Sequence, residues 1–352
     1  MAMKRFILTK RVFQNTSYSR SHTRYETFHR RLEGCQIKGG VVMKFFTAAS
    51  IIALSVAAAL PPAAVAADKP VVGLVMKSLA NDFFKNMLEG AEAHEKKRGD
   101  YELKAIGMQN ETDFESQLNG VENFITQGVD AIVIAPADSR AMVTPLKKAM
   151  DAGITVVNFD VSLDEQAKKD AGIDLAFVGP DNRGGAKMVG EALAKSLGAG
   201  GKVVILEGNP GADNAAQRKL GFEDAIAEGK LDLLDSRTAH WETEEANSVF
   251  STMLTAHPDI QGVMAANDSM AIGVIKALDV AGRSDIKVVG FDNVPAVAPL
   301  VKDGKLLATV DQFGSQMAAD AIDKALEVVA GGPKLEGWVK TNIELVTKDN
   351  VK

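Results

Sequence analysis

The sequence predicts an α/β protein built as two doubly wound lobes, each with a mostly parallel sheet. Short β-branched apolar runs alternate with amphipathic stretches of helical period, the pattern of parallel strands covered by crossover helices. The alternation starts afresh near residue 182. The two halves also echo each other, since AIVIAPADSRAM (131–142) and GVMAANDSMAI (262–272) both run from an apolar strand into Asp-Ser-x-Ala.

In the first half, VVGLVM (71–76) reads as a buried strand. A helix over 82–98 follows, with Phe83, Met87 and Ala91 on one face. Then come a strand over 101–107, a helix over 112–127, AIVIAP (131–136), a helix over 140–151, TVVNFD (155–160) and LAFVGP (175–180). The second half runs helix 182–197, KVVILEG (202–208), helix 214–228, a strand near 231–237 and helix 243–256. It continues through GVMAAND (262–268), helix 269–281, IKVVGFD (286–292), helix 295–303, LATVDQ (307–312) and a last helix over 315–330.

Ahead of this region, Met43–Ala66 has the form of a cleaved export signal. Lys44 gives a positive start, Phe45–Leu60 an apolar core, Pro61-Pro62 a helix break and Ala64-Val65-Ala66 a small-x-small cleavage site. The apolar run is short of the ~20 residues that span a bilayer and has no basic stop-transfer flank. Residues 1–42 carry nine Lys/Arg against Glu26 and Glu33 and no apolar period, and read as an upstream extension of a chain starting at Met43. LEGC (32–35) follows Arg30-Arg31 rather than an apolar segment, so it is not read as a lipidation site.

The leader's ten Lys/Arg and two Glu turn the chain's net charge of −6 into −14 after cleavage. So acidic a protein is a poor partner for nucleic acid or an anionic membrane. Cys35 is the only cysteine and lies in the leader, so the exported part has no disulfide, thiolate nucleophile or Cys metal site. His94, His240 and His257 are scattered singly, and no HExxH, GxSxG or GxxxxGK[ST] motif occurs. No cofactor or metal is expected.

Ligands of open parallel sheets bind beyond the strand C-termini. Reading just past each strand collects Lys77, Asn81, Phe83 and Phe84, then Asp138, Asp160, Asn214, Arg218, Trp241, Asn267, Asp268, Phe291, Asp292 and Gln312. Carboxylates can accept from adjacent hydroxyls, Arg donates a planar fork, and Asn and Gln do both. Aromatic faces cover the C–H faces of a sugar ring, so the set suits a polyhydroxylated ligand. Asp138 and Asp268 read as helix caps rather than ligand contacts, and Asn81 can also cap helix 82–98. Trp241, in a polar surround, reads as an exposed platform in a cleft.

At these residues the chain resembles the ribose-binding, type I sugar-binding proteins of the periplasm. LANDFF (79–84), AAQRKLGF (215–222), LTAHPDIQGVMAANDSMAIG (254–273), SDIKVVGFDNVP (284–295) and DGKLLATVDQ (303–312) carry the resemblance. It implies ligand contacts at Asn81, Phe83, Phe84, Asp160, Arg218, Trp241, Asn267, Asp292 and Gln312, with Trp241 in place of Phe. It also implies a three-crossing hinge near Gly179-Pro180, Phe313 and Thr341. The lobes would then be 67–180 plus 313–340 and 181–312 plus 341–352.

Three positions depart from the ribose pattern: Lys77 replaces a small hydroxyl residue, Ala135 an Asn, and Val161 an Arg. Lys77 is therefore added to the ligand-binding set, reaching Asp160 or the ligand, and ribose is not expected to be the preferred solute. A pentose isomer, a tetritol or pentitol, or a cyclitol is expected instead, with a sugar acid on Lys77 as an alternative. The resemblance further implies a monomer that delivers its solute to the permease of an ATP-binding cassette importer, with a chemoreceptor as a second partner. Sugar-responsive repressors share the fold, but residues 1–66 offer no helix-turn-helix. A glycosidase-like role for Asp160 and Asp292 is the enzymatic alternative.

Overall fold

A computed structural model describes residues 69–352; the 1–42 extension and the Met43–Ala66 signal lie outside the described residues. The first sheet has the strand order β11-β5-β4-β3-β1-β2. These strands are β1 (Val71–Ser78), β2 (Glu102–Met108), β3 (Ala131–Ile134), β4 (Thr155–Phe159), β5 (Phe177–Gly179) and β11 (Trp338–Lys340). All their pairings are parallel. α1 (Asp82–Arg98) and α10 (Gly314–Val329) pack together on one face, and α2 (Phe114–Gln127), α3 (Val143–Asp151) and α4 (Glu165–Ala171) on the other.

The second sheet repeats the plan in the order β12-β10-β9-β8-β6-β7. It contains β6 (Lys202–Glu207), β7 (Asp232–Thr238), β8 (Gly262–Ala265), β9 (Lys287–Val289), β10 (Ala308–Asp311) and β12 (Glu344–Thr347). α5 (Asn182–Leu197) packs on α6 (Asp213–Gly229), and α7 (Thr243–Ala256) on α8 (Asp268–Ala281). The chain leaves the first sheet after β5, returns to it after β10 and leaves again after β11.

Strand composition follows position in the sheet. β3 and β8 are central and buried at every residue, whereas the edge strands β2 and β7 are exposed or half-buried except at Met108. Helix ends follow local chemistry. Asn81 caps α1 by accepting from Phe83 N, Asp82 lies in its first turn, and Lys96, Lys97 and Arg98 lie in its last turn before Gly99 turns left-handed.

The structure differs from the sequence expectation in four places. α4 was not expected: EQAKKDA has no apolar period, and its ends are set by the Asp164 cap and the left-handed Gly172. The helix expected over 295–303 is a 3-10 turn at Pro295–Val297 followed by α9 (Ala298–Lys302), since Pro295 and Pro299 each begin a new turn. β11 and β12 were not anticipated, being short and at sheet edges. β12 runs antiparallel to β10, so the second sheet is not wholly parallel.

Candidate binding site

The strand C-termini of the two sheets face each other across a cleft, and ten expected contacts line one cavity there. Lys77, Asn81, Phe83, Phe84 and Asp160 come from the first lobe; Arg218, Trp241, Asn267, Asp292 and Gln312 meet them. Glu111 and Asn214 complete the wall. The lobes touch at its rim. Glu111 N donates to Glu242 Oε1 at 2.8 Å, Ser139 N to Gly211 O at 2.9 Å, Asp213 N to Ser139 Oγ at 2.9 Å and Ser269 Oγ to Asn81 Oδ1 at 3.3 Å.

Arg218 is locked into the second lobe. Its Nε donates to Asn182 Oδ1 at 2.8 Å, and one Nη donates to Ala266 O at 2.8 Å and Asp292 Oδ1 at 3.2 Å. Its guanidinium stacks 3.7 Å from the Phe291 ring centre, and Gln312 Nε2 donates to the same Asp292 oxygen at 2.7 Å. Phe83 and Phe84 meet edge to face at 5.1 Å. Lys77 Nζ lies 5.4 Å from the Phe84 ring centre and 5.1 Å from that of Trp241.

Lys77 does not bond Asp160. It is buried at 2% exposure, and its Nζ lies 3.0 Å from Glu111 Oε2, so it neither reaches Asp160 nor extends to solvent. The reason is topological: β2 pairs with β1 and delivers Glu111 three residues past its end, beside Lys77. Glu111 Oε1 also accepts from Asn81 Nδ2 at 3.0 Å.

Several buried polar atoms have no hydrogen-bond partner among the described residues. Both Asp160 carboxylate oxygens, Asn214 Oδ1 and Gln312 Oε1 accept nothing, and Trp241 Nε1 donates to nothing. Four bare acceptors against one bare donor make this wall short of hydroxyl or amino hydrogens. Burial pushes Asp160 up to about 6, against the pull of Lys77 and Arg218. Burial likewise pushes Asp292 up to about 7, with Arg218 opposing and Asp160 reinforcing the rise.

Backbone strain sits at the same place. Asp160, Trp241 and Asp292 have φ of 61°, 71° and 113°, in the region that favours glycine. Asn158 holds the first of these turns, donating to Val161 O at 2.7 Å and accepting from Leu163 N at 3.0 Å. Asp268 holds the third by accepting from Val294 N at 3.0 Å and Thr309 Oγ1 at 2.8 Å.

Some expected roles change. Asp268 is not a cap: Asn267 caps α8, accepting from Met270 N, and leaves Asp268 to brace the Asp292 turn. Asp138 accepts from Arg140 N and Ala141 N, closing the turn ahead of α3 outside the cavity. Trp241 is not an exposed platform. It is 3% exposed and packs its ring over Gly208, where a Cβ would lie 2.0 Å from the indole.

Glu111 was missed in the sequence, although the strand-end rule applied to β2 leads to it. Asn214, outside the expected ligand contacts, also lines the cavity. Its position at the start of α6, one turn ahead of Arg218, is the signal.

Two α/β lobes closing polar and aromatic side chains around one small cavity define a solute-binding receptor. Residues 72–333 match the periplasmic binding protein domain, and the chain belongs to that family. It is 47% identical to a D-ribose/D-allose-binding protein of Pseudomonas aeruginosa, over 85% of this chain and 96% of the relative. It is 36% identical to the ribose import binding protein of Escherichia coli, over 87% and 98%. A solute-binding protein from Burkholderia multivorans, with an unknown ligand built as α-D-erythrofuranose, is 44% identical with a TM-score of 0.78, covering 80% of this chain and all of that one. One from Actinobacillus succinogenes with bound D-allose is 38% identical with a TM-score of 0.76, covering 80% and 98%.

Proposed function

We propose that this protein is the periplasmic receptor of an ATP-binding cassette importer and captures one small, neutral sugar or polyol between its lobes. The observation that carries this reading is the polarity of the cavity wall. Lys77 is paired with Glu111 and Arg218 with Asp292, while the bare atoms are chiefly acceptors. A ligand rich in hydroxyl hydrogens satisfies them. A carboxylate would meet Asp160 and find both cations taken, so the sugar-acid alternative is disfavoured.

Asp160 is the acceptor for two adjacent hydroxyls, Asn214 and Gln312 accept others, and Phe84 and Trp241 flank the ring. Each bare buried acceptor costs about 1–3 kcal/mol, so filling these sites favours the shut form, and that population shift is the signal a permease reads.

The lobes are taken as 67–180 plus 313–340 and 181–312 plus 341–352, with the hinge at the three crossings. Met43–Ala66 exports the protein and is removed near Ala66, and residues 1–42 are an extension ahead of the natural start. The receptor acts as a monomer, and a chemoreceptor is a second partner. With Lys77, Ala135 and Val161 in place of the ribose pattern, ribose is not the preferred solute; a pentose isomer, a four- or five-carbon polyol or a cyclitol is.

Calorimetric titration with ribose, its isomers arabinose and xylose, allose, erythrose, erythritol, ribitol and myo-inositol tests the reading. One neutral member binding more tightly than ribose supports it. Tight ribose binding removes the ligand assignment, and absence of binding by every member removes the receptor reading.

A further inference from the structure

Glu111 touches both sides of the closed cleft. Its carboxylate lies 3.0 Å from Lys77 Nζ and accepts from Asn81 Nδ2 at 3.0 Å, and both partners line the cavity. Its peptide is held from the opposite lobe, N–H donating to Glu242 Oε1 at 2.8 Å and carbonyl accepting from Asn209 Nδ2 at 3.4 Å. The residue is 1% exposed. It is therefore fixed in position, and it is the carboxylate that compensates a second buried cation of the pocket.

We propose that Glu111 is the specificity-determining residue that makes this receptor reject anionic sugars. The proposal rests on the receptor reading above and adds a charge rule to it. A buried ammonium without a partner is costly and seeks a carboxylate. Lys77 without Glu111 would be such a group, 5.1 Å from the Trp241 ring centre and open to the ligand. With Glu111 in place, the ammonium is neutralised within the protein and acts toward the ligand as a hydrogen-bond donor only. Lys77 is then paired with Glu111 and Arg218 with Asp292, and an incoming carboxylate meets the unpartnered Asp160 carboxyl instead of a free cation.

The test is titration of wild type and Glu111→Gln with the tightest neutral ligand and with D-ribonate and D-allonate. Glutamine keeps the size and the acceptor for Asn81 but removes the charge. Glu111→Gln should shift the affinity ratio toward the aldonates by about tenfold or more, as a charge-assisted hydrogen bond formed or lost implies. The double variant Lys77→Met/Glu111→Gln should lose that gain. An unchanged ratio in Glu111→Gln, or wild type binding an aldonate as tightly as a neutral sugar, overturns the proposal while leaving the receptor reading intact. Wild type binding no neutral sugar overturns the receptor reading, and the charge rule with it. Should the single variant not accumulate as folded protein, the double variant decides. Recovery of folding and neutral-ligand binding supports the pairing, because both charges leave together; no recovery overturns it.

Discussion

On the proposed receptor reading, ligand capture turns on Asp160. It has left-handed backbone, complete burial and two oxygens without partners, an arrangement that is costly until hydroxyls donate to it. Asp160→Asn removes the charge but keeps the shape. Its affinity for the preferred ligand should fall about 100-fold or more, the worth of charge-assisted bonds at ~1.5–3 kcal/mol each. The ligand-free variant should unfold at the same temperature as wild type or higher, because the desolvated charge is gone. A parallel loss of stability and affinity would make Asp160 structural instead.

The raised values of Asp160 and Asp292 also set pH dependence. Both exceed the ordinary 3.8, reaching about 6 and about 7, so the native state holds protons that the unfolded chain has released. Their stabilising contribution is full below 3.8 and is lost as pH rises through 6 and 7. Ligand-free protein should therefore melt at lower temperature at pH 7.5 than at pH 5. Ligand affinity should run the other way, because donated hydroxyls favour the ionised carboxylate. Affinity should rise from pH 5 to pH 7, with proton release visible as a buffer-dependent binding enthalpy near pH 6.

At the scale of elements, close helix pairs carry the second lobe. A Cβ on Gly221 of α6 would lie 2.2 Å from Arg183 O of α5, and one on Gly273 of α8 would lie 2.2 Å from Thr243 O of α7. These are backbone contacts, so the helices must part. Gly221→Ala should destabilise the protein by roughly 1–3 kcal/mol, the usual cost of overpacking, against the ~1 kcal/mol that Ala otherwise contributes to a helix. Urea unfolding measures the difference, and a stabilised variant would show that the α5–α6 contact has room.

Most of the element order was legible because apolar period separates buried strands from amphipathic helices, as at VVGLVM and the Phe83–Met87–Ala91 face. What escaped lacks that signal: α4 has no apolar stripe, and β11 and β12 are edge strands of three and four residues, too short to show a period. Among site residues, those just past strands were legible from topology. The Lys77–Glu111 pair was not, because it depends on which strand lies beside β1. Nor was the burial of Trp241, which depends on the missing side chain of Gly208.

For the whole molecule, the two lobes form one recognition surface. The first supplies Lys77, Asn81, Phe83, Phe84, Glu111 and Asp160; the second supplies Asn214, Arg218, Trp241, Asn267, Asp292 and Gln312. Neither half encloses a ligand alone, and direct bonds across the rim, such as Ser139 to Gly211 and Asp213, hold the shut form. On the proposed reading, binding and closure are one event. The most direct test is a crystal structure of the protein with the tightest neutral ligand of the titration panel. The expected result is a single sugar or polyol between Phe84 and Trp241, with two of its hydroxyls on the Asp160 carboxylate and Lys77 still paired with Glu111. A ligand seated outside this cavity, or one touching a single lobe and leaving Asp160 without a partner, would contradict it.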